Sequence, residues 1–184
     1  MSSDDPASRR RARWSRRRFL GACAGTAAVA GCTGAYPGNR SVDDDDGYDR
    51  AKVVVVDADG DGSELARVDV RVADTSGKRY TGLSDTDSLG EDEGMLFVHE
   101  SAGEWAYVMR EMAFPLDIIF ADPEGVVTTV HSAPLPPEGT EGGDLKRYQG
   151  QGQFVLEVPM GYADDHCIAV GDRFRFRDLD SDLV

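Results

Sequence analysis

The chain has 184 residues, with 20 Lys plus Arg against 34 Asp plus Glu and a formal net charge of -14 at pH 7. That length is one domain with some chain to spare, which excludes a multi-domain machine, and 40% hydrophobic residues are enough to close a core and exclude wholesale disorder. The acidic balance argues against nucleic acid as a partner, because phosphate would be repelled.

The charge is segregated along the chain. Residues 1–31 hold seven Arg and two Asp, whereas the rest holds 13 basic and 32 acidic residues, a pattern of a targeting segment joined to a body. Only Lys52, Lys78 and Lys146 are lysines, so most of the acid is solvated surface. Molar salt shortens the Debye length to about 3 Å and screens its self-repulsion; the composition therefore reads as that of a salt-loving organism.

In chain order, Ser15-Arg16-Arg17-Arg18-Phe19-Leu20 precedes a small-residue, weakly apolar run to Gly31. Paired arginines before such a run look like a twin-arginine export signal, with Arg16 and Arg17 as the pair. The run is too short to span a bilayer, which takes about 20 residues. Val29-Ala30-Gly31-Cys32 resembles a lipobox, with the Cys32 thiol as the site of lipidation. The alternative is a basic tail with a chance cysteine. Residues 1–31 are thus expected to be a lipoprotein signal peptide, and 32–51 an acidic flexible tether containing Asp43–Asp46, with a reach of about 25 Å. Asn39-Arg40-Ser41 is an N-glycosylation triplet or a chance match. After removal of Cys23 and modification of Cys32, Cys167 is the free thiol, expected to be a small buried hydrophobe.

Residues 52–178 are expected to form a single β-rich domain, followed by an acidic tail over 179–184. Val53–Val56 and Leu65–Val72 read as a hairpin across the acidic turn Asp57-Ala58-Asp59-Gly60-Asp61-Gly62. That turn matches the first half of a calcium loop, but Val68 stands where a bidentate Glu is required, so a hydrated turn is preferred. Thr75 is expected to cap a short helix to about Leu83. Strands follow at Gly94–Val98, Trp105–Met109, Leu116–Phe120 and, after the turn Asp122-Pro123-Glu124-Gly125, Val126–Val130. A Pro- and Gly-rich loop is expected over Ser132–Gly152, then strands at Phe154–Val158 and Arg173–Arg177 with a turn of helix near Tyr162. About eight short strands at this spacing predict a compact, mainly β antiparallel sandwich or barrel with one or two short helices.

Gly82-Leu83, Gly94-Met95-Leu96-Phe97, Met109-Arg110, Pro115-Leu116-Asp117-Ile118-Ile119-Phe120, Leu156-Glu157 and Gly171-Asp172 stand in the order and spacing of the domain-of-unknown-function 192 family, which the chain resembles over about residues 66–177. The resemblance implies a compact β-rich domain, often behind an export signal, and implies no reaction. Where the family typically has an aromatic, Trp, Met, Lys, Asn, Thr segment, this chain has Tyr107-Val108-Met109-Arg110-Glu111-Met112, so a ligand is not carried over.

Chemistry could sit on two carboxylates in apolar strands. Alternation puts Asp117 with Ile119, opposite Leu116, Ile118 and Phe120, and puts Glu157 beside Val155. Burying an ionised group is costly unless it is paired or hydrogen-bonded, so each needs a partner. One reading is structural: Asp117 accepts backbone N–H bonds from a loop, and Glu157 pairs with a cation such as Arg110. The other is a shared cleft in which Asp117, Glu157 and Arg110 form a polar site lined by Phe97, Trp105 and Met109. His99, His131 and His166 lack metal-ligand spacing, and the Asp164-Asp165-His166-Cys167 string is a poor metal site because adjacent residues rarely all face one ion. No cofactor motif, nucleophile elbow, phosphate loop or redox Cys pair is present.

The sequence therefore predicts a lipid-anchored domain on the outer face of the cytoplasmic membrane, a ligand-binding or accessory module whose partners are the membrane, through the anchor, and an unidentified small molecule or protein. The rival is a hydrolase or carbohydrate-acting enzyme using Asp117 and Glu157 as an acid and base pair. A structural surface protein without a cleft is the third reading.

Overall fold

A computed structural model of the protein describes residues 47–58 and 62–183. The chain divides into units at 1–42 and 43–184, and the described residues belong to the second. Arg16, Arg17, Cys32, Asn39, the Asp43–Asp46 run and Asp59, Gly60 and Asp61 of the calcium-like turn lie outside the described residues. Among those described, no helix is long and apolar enough to cross a membrane.

Seven strands form one sheet: β1 (Asp49–Val56), β2 (Glu64–Ala73), β3 (Glu93–Tyr107), β4 (Leu116–Ala121), β5 (Val127–Ala133), β6 (Tyr148–Pro159) and β7 (Arg173–Arg177), in the order β5-β4-β6-β3-β2-β1-β7. The β-branched run Val53–Val56 pairs antiparallel with β2, as the hairpin reading required. The sheet is mixed, because β2 and β3 run parallel. The intervening chain carries α1 (Ser76–Thr81), and a crossover of this length returns the chain in the same direction where a tight turn would reverse it. The other strand pairings are antiparallel, as expected.

The sheet curls until its edges meet. Val126 bridges to Arg173, and the Val127, Gly171 and Phe174 amides donate to the carbonyls of Asp172, Val127 and Gly125. Pairing the two edges makes the fold barrel-like and hides two rows of backbone groups that would otherwise template aggregation. Asp172 supports this closure by accepting the Ala169 N–H at 2.7 Å, so Gly171-Asp172 is a structural turn.

Alternation along the strands sorts side chains into two apolar clusters. Val53, Val55, Val68, Leu96, Ile119, Phe154 and Leu156 fill the inside of the barrel. Met95, Phe97, Leu116, Ile118, Phe120 and Val155 lie on the outer face of β3, β6 and β4, where α1 and the chain around 107–114 cover them. The outer face of the far side differs: β7 presents Arg173, Arg175 and Arg177 beside Lys52 and Arg67. Cations thus gather on one side of an otherwise acidic body.

Three expected boundaries move. β1 begins at Asp49, so the tether's expected last residues are strand. Gly94–Val98 and Trp105–Met109 are not two strands: β3 runs unbroken from Glu93 to Tyr107, with its register shifting between Val98 and Gly103. Gly150 and Gly152, read as loop, belong to β6. A Cβ at Gly150 would lie 2.5 Å from the Phe120 ring, and one at Gly152 would lie 2.5 Å from the Ala121 carbonyl oxygen. These glycines let packed groups approach the backbone; they do not break the strand.

Candidate functional site

The site is built on the outer face of β3 and β6. Between Val98 and Gly103, β3 carries extra residues against β6, and such bulges bend a strand and re-aim its side chains. Here the bend lays Trp105 back on His99, with the rings stacked at 3.8 Å and 7°. The Trp105 indole N–H donates to the Gly152 carbonyl at 2.9 Å, which fixes it as a wall of the site. Next on the same face, the Tyr107 hydroxyl lies 3.0 Å from His99 Nε2, and its ring meets Phe97 edge-on at 5.0 Å.

α1 supplies the opposite wall. The Thr75 hydroxyl accepts the Lys78 N–H at 3.2 Å, the cap the sequence predicted. Arg79 donates to the carbonyls of Asp74 and Val98 at 2.6 and 2.8 Å, which ties the helix to β3. Gly82 ends the helix at φ +54, where a Cβ would come 3.3 Å from the Phe97 ring. Arg110 closes the mouth. Its guanidinium stacks 4.0 Å over Tyr80 and donates to the Tyr80 carbonyl at 2.6 Å, while its Nε is buried without a hydrogen-bond partner. The following residue, Glu111, sits at φ +56, a left-handed conformation that Asn tolerates better than Glu.

These walls enclose a cavity of about 330 Å³ with Glu157 among its lining, at the small end of ligand-sized sites. Glu157 stands opposite Met95 on β3 and Ile118 on β4 and is 6% exposed. Burial raises its pKa to about 8. His99 is held neutral, its pKa lowered to about 4 by burial and then by the Arg79 charge. The Tyr107 phenol is pushed well above its ordinary value, by burial first and then by Glu157. Near neutral pH the cavity therefore presents a protonated carboxyl, a neutral imidazole, a neutral phenol and two guanidiniums.

Of the expected residues, the cavity brings together Phe97, Trp105, Arg110 and Glu157. It does not include Asp117. Register pairs Asp117 with Val158 and Ile118 with Glu157, and neighbouring positions along a strand face opposite sides. Asp117 therefore points with the interior cluster, where Oδ2 accepts the N–H groups of Gly161 and Ala163 at 2.9 and 3.0 Å. It holds α2 (Tyr162–Asp165) over one end of the barrel. Asp117 and Glu157 lie on opposite faces of the sheet, so the two carboxylates expected as an acid and base pair do not share a cavity. The expected Glu157–Arg110 ion pair is also not made, because Arg110 is engaged by Tyr80. Met109 is buried in the outer cluster and faces the proline-rich loop.

Cys167 is exposed, contrary to expectation. It occupies a left-handed position just after α2, at φ +56, which turns its side chain away from the core. His166 stacks on Tyr162 at 4.0 Å. Among the described residues no group of three or more His, Cys, Asp or Glu could hold a metal ion. Sequence reasoning missed Arg79, His99 and Tyr107 as site residues. The alternation of Phe97 with His99, and of Trp105 with Tyr107, was a signal that could have found two of them.

Two solved structures share the fold. One, from Sinorhizobium meliloti 1021 and proposed to be a transcription regulator, is 23% identical with a TM-score of 0.62, covering 72% of this chain and 97% of its own. That likeness speaks to fold alone. The other, a protein of unknown function from Novosphingobium aromaticivorans DSM 12444, is 26% identical with a TM-score of 0.61, covering 77% and 93%. No curated protein matches the chain. The DUF192 family model, described as "Uncharacterized ACR", matches residues 55–176, and the chain belongs to that family.

Proposed function

We propose that the domain binds a small molecule in the cavity over β3 and β6, and that it does so on the outer face of the cytoplasmic membrane, held there by a lipid on Cys32. The observation that carries the binding reading is Glu157: a carboxyl buried in the wall of an aromatic cavity with no hydrogen bond or ion pair from the described residues. Burying such a group costs stability, and a ligand that meets it would offset that cost. The order of Arg16-Arg17, the apolar run and the Val29–Cys32 box supports export and anchoring.

A thermal-shift screen of small molecules in molar salt tests binding. Hits are expected to raise Tm in the wild type and to lose most of that effect in Arg110→Gln, since a ligand that binds only the folded state stabilises it by mass action. A screen without hits, or hits indifferent to Arg110→Gln, would count against the reading. For the anchor, Cys32→Ala is expected to move the protein from the membrane fraction to the soluble one, and an unchanged distribution would refute lipidation there.

A further inference from the structure

The cavity's walls are unequal in charge. Arg79 from α1 and Arg110 from the chain after β3 bring two guanidiniums, and one carboxyl, Glu157 from β6, stands against them. Among the side chains that line the cavity the guanidiniums outnumber the carboxyl two to one, inside a chain of net charge -14; outside the lining, Glu111 lies beside Arg110 and Asp74 beside Arg79. The Arg110 Nε is an unspent donor: it is buried without a hydrogen-bond partner, and the Glu111 carboxylate, 3.9 Å away and itself mostly exposed, is beyond hydrogen-bond reach. Guanidinium donors of this kind suit a carboxylate. Beside them lie the apolar surfaces of Phe97, Tyr107 and Tyr80, which suit a flat or aliphatic body.

From this juxtaposition, and resting on the ligand-binding reading above, we infer that the ligand is a small organic carboxylate, its anionic end toward the guanidiniums and its apolar body against the aromatic rings. The selection against amines follows from charge. The selection against neutral analogues follows because the unspent donor at Arg110 would stay unpaired.

The site then couples anion binding to a proton. The groups facing Glu157 across the cavity are Arg79 on α1, His99 and Tyr107 on β3 and Arg110 after β3, while β4 contributes Ile118, which does not titrate. His99 and Tyr107 stay neutral from pH 6.5 to 9. Glu157 is the group that changes, losing its proton at about 8. Once ionised it repels an anionic ligand across a poorly screened space.

The test uses three ligands of matched shape, benzoate, benzyl alcohol and benzylamine, titrated calorimetrically into wild type, Arg110→Gln and Glu157→Gln at pH 6.5 and 9. Benzoate stays ionised throughout. Benzoate is expected to bind best at pH 6.5, to weaken about ten-fold at pH 9, and to weaken at least ten-fold in Arg110→Gln. In Glu157→Gln the dependence of its affinity on pH is expected to vanish. Preference for benzylamine or benzyl alcohol would overturn the carboxylate assignment and leave the cavity a ligand site. Benzoate binding that ignores pH or Arg110→Gln would overturn it too. If none of the three binds, the assignment fails on these probes, while the wider screen judges the binding reading separately.

Discussion

Unfolding free energy measured against pH is expected to differ between wild type and Glu157→Gln by an amount that grows from about pH 4.5 to about pH 8. In the unfolded chain Glu157 loses its proton near the ordinary value of 4.5, whereas in the fold burial holds it until about 8. Between those values unfolding releases a proton, so rising pH favours the unfolded state, with a slope of about 1.4 kcal/mol per pH unit. Gln is isosteric and does not ionise, so the variant lacks this loss. His99 acts in the opposite sense. Unfolded it takes up a proton near 6.5, folded only near 4, so its contribution is lost as pH falls through that window. The two terms nearly offset each other between about pH 4.5 and 6.5. Wild type should therefore be flat there and lose about 2 kcal/mol from 6.5 to 8. His99→Gln should instead decline through the whole range from 4.5 to 8. Denaturant melts in molar salt measure these differences, and identical wild-type and Glu157→Gln pH profiles would show that Glu157 is not buried as described.

Asp117→Ala is expected to cost about 3–4 kcal/mol of stability, because it strips an acceptor from two amides, one of them fully enclosed, that hold α2 over the barrel. Asp117→Asn keeps an oxygen for those amides and should cost less, about 1–2 kcal/mol. Neither variant should change ligand affinity in the folded protein, since the side chain lies on the other side of the sheet from the cavity. Equilibrium unfolding together with a benzoate titration separates the two effects. If Asp117→Asn keeps full stability and abolishes binding, the division of the two carboxylates between faces is wrong.

Local patterns gave the fold's parts more readily than its joins. The Val53–Val56 run, the Thr75 cap and the Asp122–Gly125 turn are short-range features, and each forms as its residues predict. The parallel β2–β3 pairing and the closure of β5 against β7 depend on where distant segments meet, which no local period encodes. The same limit shaped the site. Alternation correctly put Asp117 with Ile119 and Glu157 with Val155, but nothing within either strand says which faces coincide. That needed the pairing of Ile118 with Glu157. Gly150 and Gly152 misled for a related reason: a glycine chosen for close contact with Phe120 or Ala121 reads the same as one chosen for a turn. Cys167 was misplaced because its residue type favours burial, whereas its left-handed backbone after α2 decides its exposure.

The central claim, that ligand enters the cavity over β3 and β6, is tested most directly by mapping amide chemical shifts of the protein during a benzoate titration. Saturable shifts are predicted at Phe97, His99, Tyr107, Arg110 and Glu157, with Gly161 and Ala163 unmoved. Saturable shifts that spare Glu157 and its neighbours and centre elsewhere, as on Gly161 and Ala163, would contradict it.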